Sequence, residues 1–221
     1  MSNVTVVITS CNRFDLLNKT IESFKKYNTY PIHEFIIIDD TGTEESKKVL
    51  QTIYGDQYTL LFNIPKLGQL KSIDKAYSIV ETDYIFHMED DWQFYDFSFI
   101  EKSIEILQSE KDVLQVWFRH EKDGIGHKPN KEQPNYWYWN NQSYVWYPVK
   151  KERGLNGFSF NPHLCRKKDC FEPYAEIGKE NDIGIYYTEL GYETAWLEPE
   201  CGFVKHIGNG RHCPVNKKYM G

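Results

Sequence analysis

The chain opens on an apolar, β-branched run, residues 4–9 (Val-Thr-Val-Val-Ile-Thr), followed at once by Ser10, Cys11, Asn12 and Arg13. Leu16, Leu17, Thr20, Ile21 and Phe24 then recur at helical spacing, which predicts a strand, a tight loop and an amphipathic helix. A second apolar run at residues 35–38 follows Pro31 and ends on Asp39, Asp40, Thr41 and Gly42. Two strands separated by one helix predict a right-handed parallel βαβ unit. Residues 46–53 read as the next short helix, 59–62 as a third strand and 71–80 as a third helix. Another apolar run begins at Tyr84 and terminates in Glu89, Asp90 and Asp91. The N-terminal part of the chain therefore alternates β and α. In open parallel sheets ligands gather beyond the carboxyl ends of the strands, where Thr9, Asp40 and Asp91 all fall.

Three consecutive carboxylates at a strand end repel one another, so they need a cation or strong hydrogen bonds to neutralise them. Mg²⁺ and Mn²⁺ prefer oxygen ligands, commonly one or two carboxylates completed by substrate phosphates and water. The plain structural alternative is that Asp-Asp pairs cap helices or populate turns. His87, two residues before the triplet, reads as a structural residue facing neighbouring strands.

The second half differs in composition. Tyr136, Trp137, Tyr138, Trp139, Tyr144, Trp146 and Tyr147 crowd into one short segment. Aromatic faces stack on the C–H faces of sugar rings while their polar tips satisfy hydroxyls. Trp137, Trp139 and Trp146 are the sugar-stacking candidates on that reading. The same segment also suits a β-hairpin with aromatic cross-strand pairs, turned at Asn140 and Asn141. Gly154 and Gly157 permit a sharp turn or close backbone approach, and Gly157 is the further acceptor-site candidate.

Residues 4–13, the Asp39-Asp40 strand ending, Gly68 before the third helix and the Glu89-Asp90-Asp91 triplet together resemble the nucleotide-diphospho-sugar glycosyltransferases of family 2. The match spans roughly residues 4–100 in order and spacing, and is far more specific than any single acidic pair. It extends more weakly into the C-terminal half. The resemblance implies the GT-A fold, an α/β architecture whose mainly parallel central sheet is flanked by helices. It sets Thr9, Ser10, Cys11 and Arg13 in the first donor-binding loop, and Asp40 as an acceptor of a hydrogen bond from the nucleotide base. Asp40 also suits the cap of the helix that begins near Glu44. Lys71 falls near the basic position that relatives direct toward phosphate, and reads equally well as a solvated helix lysine. Asp90 belongs near the ribose or diphosphate, Asp91 on the metal, and Glu89 on the metal through water.

The same resemblance gives the second half its roles. A carboxylate opening a helix that ends in Gly-Tyr matches residues 179–192, and counting back from Gly191 reaches Glu180 as the base. Asp182 is the rival after a two-residue shift, and either acid suits a helix cap. His206, ending a strand before Gly208, matches the further metal ligand of many GT-A enzymes. Imidazole favours Mn²⁺ over Mg²⁺. Arg211 is placed to brace the diphosphate, since arginine matches phosphate oxygens bidentately. The segment from Gly208 to Pro214, which includes His212, reads as a loop that orders around the donor.

Composition narrows the alternatives. With 221 residues, 40% of them hydrophobic and 16% aromatic, the chain supports one substantial core, and no Pro-, Gly- or Ser-rich linker divides it. One domain, residues 1–221, is expected, with residues 1–100 forming the nucleotide-sugar half and 101–221 the acceptor and catalytic half. A net charge of −6 carries no basic stripe for a nucleic acid. Five cysteines without zinc-ligand spacing read as reduced thiols in a cytoplasmic protein. No apolar run approaches the ~20 residues that cross a bilayer. The expected function is metal-dependent, inverting transfer of a sugar from a nucleotide-diphosphate donor, UDP first among them, to a glycan or other hydroxyl acceptor. A nucleotidyltransferase and a sugar-binding relative without transfer activity are the rivals.

Overall fold

The structure is a computed structural model, and it describes residues 3–123, 126–149, 157–170 and 173–211. Its N-terminal part follows the predicted alternation: β1 (Val4–Ser10), α1 (Phe14–Tyr27), β2 (Glu34–Asp39), α2 (Glu44–Tyr54), β3 (Thr59–Phe62), α3 (Gln69–Tyr77) and β4 (Tyr84–Glu89). A short β5 (Trp92–Phe94) leads to α4 (Phe99–Ser109) and β6 (Val113–Trp117). The aromatic segment forms β7 (Asn135–Trp139) and β8 (Gln142–Pro148), and the remainder is β9 (His163–Arg166), α5 (Tyr174–Ile177), α6 (Glu180–Glu189), β10 (Glu193–Leu197) and β11 (Val204–His206).

Nine strands form one sheet in the order β3-β2-β1-β4-β9-β6-β10-β8-β7. β1 pairs in parallel with both β2 and β4, and β2 with β3. β9 lies antiparallel between β4 and β6, after which β6 and β10 run parallel. The carboxyl ends of β1, β2, β4, β6 and β10 therefore emerge on one edge. β5 and β11 form a separate two-stranded ribbon beside it. The whole is the GT-A architecture, a large and mostly parallel sheet flanked by helices.

Alternation along β1 builds both layers. Val6 and Ile8 face one way, into a cluster with Leu17, Ile21 and Phe24 of α1, Leu50 of α2 and Ile104 of α4. Val7 faces the other, against Ile73 and Tyr77 of α3, Tyr174 of α5 and Ile183 of α6. Period-two strands and period-3.6 helices meet because each presents one apolar face. Phe86 anchors the first layer within 5.2–5.6 Å of Phe24, Phe99 and Phe118.

Helix ends differ from expectation for local reasons. α2 starts two residues early because Thr43, not Asp40, caps it, accepting from the Ser46 amide at 3.2 Å. α3 starts at Gln69 because Gly68 turns the chain at φ +93°, a region that suits glycine. The cysteine expectation needs correction: Cys165, Cys170 and Cys201 are free, but Cys11 is disulfide-bonded. That removes one ground for a cytoplasmic setting. Among the described residues, no helix is long and apolar enough to cross a membrane.

His87 is fully buried in β4, stacked on His163 at 5.4 Å and 5.7 Å from the Tyr77 ring, with both ring nitrogens unpartnered. Burial, then the neighbouring His163, hold its pKa well below the usual histidine value. The unfolded chain takes up that proton near pH 6.5 while the folded chain refuses it, so stability is present above that pH and falls below it. His87→Phe removes the liability. Urea unfolding at pH 7 and pH 5 should show the wild type losing about 2 kcal/mol more than the variant; equal losses would mean the native state protonates His87 freely.

Candidate functional site

The acidic triplet sits in the tight turn between β4 and β5, and α1 fixes its backbone. The Thr20 hydroxyl donates to the Asp90 carbonyl at 2.9 Å and accepts from the Trp92 amide at 3.1 Å. One helix turn later, the Ser23 hydroxyl accepts from the Phe94 amide at 3.0 Å. Two small hydroxyl residues on the buried face of α1 thus replace strand pairing that β5 lacks on that side.

The side chains of the triplet diverge. Asp90 is wholly buried, accepting at 3.2 Å from the Ser10 hydroxyl and from the Cys11 amide, and from the Arg13 guanidinium. Burial pushes its pKa up to about 6 against the pull of Arg13. Asp91 accepts from Arg13 Nη1 at 2.5 Å and lies 3.2 Å from His206 Nε2. Despite burial, these partners hold Asp91 below the usual carboxylate range, and Asp91 in turn raises the His206 pKa. Asp91 Oδ1 is buried and has no partner. Glu89 accepts from Gln69 Nε2 at 3.1 Å and Trp92 Nε1 at 3.3 Å, and burial with Asp91 nearby pushes it up to about 8.

His206 reaches Asp91 through strand pairing: β11 lies antiparallel to β5 with His206 opposite Trp92, and the Ile207 amide donates to the Asp91 carbonyl at 2.8 Å. Gly208 packs so closely on the Asp91 carboxylate that a Cβ there would overlap it. Arg211 makes a two-pronged ion pair with exposed Asp15, at 2.7 and 2.8 Å, and its carbonyl accepts from Arg13 at 3.0 Å. The descent of the chain from β11 thus closes over the acidic turn.

The other predicted donor residues are gathered at the same edge. Thr9 and Ser10 end β1, and Cys11 and Arg13 form the loop into α1. Asp40 accepts from the Leu67 and Gly68 amides at 2.8 and 2.9 Å and from Asn63 Nδ2 at 3.0 Å. Its carboxylate thus organises the loop into α3 and takes no part in capping α2. Lys71 is exposed on the first turn of α3.

In the second half, Glu180 opens α6 and its Oε1 accepts from the Phe160 amide at 2.7 Å. Asp182 turns back to accept from the Lys179 amide at 3.3 Å, which is a capping contact. Gly157 lies at φ +68° with its carbonyl held by the Thr194 hydroxyl. The aromatic segment is the hairpin, turned at Asn140 and Asn141, both with positive φ. Trp146 is 2% exposed and belongs to the core, so it offers no face to a sugar. Trp137 and Trp139 are half-buried against the same core, and the open rings are those of Tyr136 and Tyr138. Gly154 and His212 lie outside the described residues.

Two residues have no counterpart in the sequence reading. Asn161, with its amide oriented to suit its neighbours, donates to Glu89 at 3.3 Å and accepts from Arg119 and, at 3.1 Å, from the Ser159 hydroxyl. Arg119 follows β6 and is 1% exposed. A lone arginine after an apolar strand has no periodicity to announce it; the charge two residues beyond Trp117 is the one available signal.

Asp40, Asp90, Asp91 and the facing His206 thus gather at the carboxyl ends of a mostly parallel α/β sheet. The model of the glycosyl transferase family 2 matches residues 5–168, and the chain belongs to that family. No curated protein sequence matches it significantly. Among solved structures, a crystal structure of GalNAc-T7 with UDP, GalNAc and Mn²⁺ superposes with a TM-score of 0.65 at 13% identity. The alignment covers 94% of this chain and 44% of that one, so this chain spans less than half the length of that neighbour. That likeness establishes the shared fold, and family membership supports glycosyl transfer as the general activity.

Arg13 is the local counter-charge for two buried carboxylates. Arg13→Met leaves Asp90 charged, buried and without its partner, which costs about 3–5 kcal/mol. Without the guanidinium the Asp90 pKa rises further, and a carboxylate with a raised folded pKa destabilises more as pH climbs above its unfolded value. The loss measured by urea unfolding should therefore be larger at pH 8 than at pH 5; a pH-independent loss would assign Arg13 a packing role only.

Proposed function

We propose that this chain transfers a sugar from a UDP-sugar donor to an acceptor hydroxyl with inversion, assisted by Mn²⁺ or Mg²⁺. The observation that carries the reading is the pairing of Asp91, with one buried and unpartnered oxygen, and His206 Nε2 at 3.2 Å, within a chain of this family. One carboxylate and one imidazole suit Mn²⁺. Among the described residues no three His, Cys, Asp or Glu side chains cluster as a metal site, so donor phosphate and water would fill the remaining positions. UDP and Mn²⁺ accompany the fold in the GalNAc-T7 structure, which supports the choice of base and ion.

Asp91 and His206 would hold the ion, and Glu89, pushed up to about 8 and hydrogen-bonded to Gln69 and Trp92, would stand neutral near them. When bound, the ion supplies Lewis-acid stabilisation of the departing diphosphate. Arg13, already between the two aspartates, lends a second positive charge to the same region. Thr9, Ser10, Cys11 and Asp40 line the path of the nucleoside, and Asp90 fixes the loop between them through Ser10 and Cys11. Glu180, held at Oε1 by the Phe160 amide, accepts the acceptor hydroxyl's proton at its other oxygen as that hydroxyl attacks the anomeric carbon. Asp182 keeps the helix end in place. Lys71 and Arg211 remain outside the chemical step, as a solvated charge and as the latch to Asp15.

The test is a thermal-shift series with UDP, GDP, CDP and TDP, each with Mn²⁺ or EDTA, on the wild type, Asp91→Asn and Glu180→Gln. A ligand at about a hundred times its Kd adds about 2.7 kcal/mol, a rise of about 5–11 °C for a chain of this size. UDP should give that rise only with metal, Asp91→Asn should lose it, and Glu180→Gln should keep it while transfer falls about 10²–10⁴-fold. If no nucleoside diphosphate shifts the wild type, the donor reading fails; release of pyrophosphate in place of UDP would make the chain a nucleotidyltransferase.

A further inference from the structure

Close to Glu180 lies a charged side chain that the transfer reaction leaves without a task. The Arg119 guanidinium carbon stands 4.4 Å from the centre of the Trp117 ring and 5.4 Å from that of Trp196, and the two indoles pack edge to face at 5.5 Å. Its backbone is pinned as well: the carbonyl accepts from Trp196 Nε1 at 2.7 Å, and the residue bridges to Val204 at the start of β11. The side chain is therefore held in one place by its neighbours.

Its donors are only partly used. Nη1 reaches the Asn161 oxygen, but Nε and Nη2 are buried and have no hydrogen-bond partner. Those two nitrogens form one edge of the guanidinium, and their N–H bonds run parallel, spaced for two oxygens of a single anion. Burying a cation with unmet donors is costly. Burial does lower the Arg119 pKa, but only to about 10, so it stays charged at neutral pH. Two nearby acids are engaged elsewhere: Glu89 accepts from Gln69 and Trp92, and Glu180 Oε1 accepts from Phe160.

The location is specific. Phe160 and Asn161 are consecutive; the first holds Glu180, and the second joins Arg119 to Glu89. One short loop thus ties the unfilled fork to the base and to the acidic turn. The indoles cover the guanidinium, and its Nε/Nη2 edge presents two parallel N–H donors at the spacing of the two oxygens of a carboxylate.

We propose that Arg119 is a specificity-determining residue whose Nε/Nη2 edge receives the carboxylate of an acidic sugar of the uronate class bound beside Glu180. The inference rests on the glycosyl-transfer reading for the place of that sugar, which belongs either to the donor or to the acceptor.

Calorimetric titration of the full chain separates the sources. One arm compares UDP-glucuronate with UDP-glucose in Mn²⁺; the other compares methyl glucuronide with methyl glucoside, with and without UDP. In one arm the uronate should bind at least about tenfold more tightly than the neutral sugar, as a charge-assisted pair warrants. Arg119→Gln should reduce that ratio to near one, and Arg119→Lys, which keeps the charge and loses the fork, should reduce it several-fold. The lysine variant decides the matter if the glutamine variant does not fold. UDP binding should be unchanged in both. UDP binding without any uronate preference, or a preference that both variants retain, overturns the proposal and leaves the transferase reading standing. An Arg119-dependent uronate preference without UDP binding does the reverse, and absence of both sinks both.

Discussion

Two carboxylates buried side by side at the end of a β-strand are tolerable only if a positive charge comes with them, and here that charge is Arg13. It reaches Asp90 and Asp91 together while its own backbone opens α1. The loop after β1, the start of α1 and the turn after β4 therefore fold as one electrostatic unit. Thr20 and Ser23, farther along α1, secure the backbone of the same turn, so the helix positions the acids twice: by charge at its first turn and by hydroxyls along its buried face. If the turn shifted, β5 would lose its register, and with it the pairing that brings His206 to Asp91.

The charge count at this point bears on the chemistry. Asp90 and Asp91 contribute two negative charges and Arg13 one positive, while Glu89, pushed up to about 8, is protonated at neutral pH. With His206 neutral, as a metal ligand must be, one net negative charge remains, next to a carboxylate oxygen that no protein group satisfies. A divalent cation would reverse that balance to one net positive charge, which suits a diphosphate and would otherwise be missing from a chain of net charge −6. Keeping Glu89 neutral limits the repulsion that three ionised acids would add. In this arrangement Arg13 and an ion are complementary, because His206 and Arg13 both approach Oδ2 of Asp91 and leave Oδ1 open.

Much of the N-terminal part, β1 to β4 with their helices, was legible because its signals are local. Apolar runs of four to seven residues, two of them ending in acids, separated by helical spacing, predict β1 to β4 and their parallel pairing. The family resemblance carried the same region, and the family match to residues 5–168 agrees with it. The second half was less legible. Aromatic richness did not separate stacking surface from core: Trp146 points inward on β8 while Tyr136 and Tyr138 point outward on β7, a difference of strand register that composition does not reveal. For Asp40 the sequence offered a helix cap as the alternative to base binding; Thr43 caps α2 instead, and the Asp40 carboxylate turns to amides 27 and 28 residues away. Arg119 and Asn161 were invisible for a similar reason, since their partners are brought together only by the sheet.

The strand that brings them together is β9. It runs antiparallel between β4 and β6, so the residues that precede it in sequence arrive at the edge where β4 and β6 end. Phe158 to Asn161 are therefore delivered between the acidic turn and the start of α6, and one loop touches Glu89, Arg119 and Glu180. A parallel strand in the same place would have carried that loop to the opposite edge of the sheet. The reversal places that loop between the ends of β1 and β4 on one side and β6 and α6 on the other. The buried fork of Arg119 lies on the β6 side, where strand direction supplies the geometry that sequence spacing does not encode.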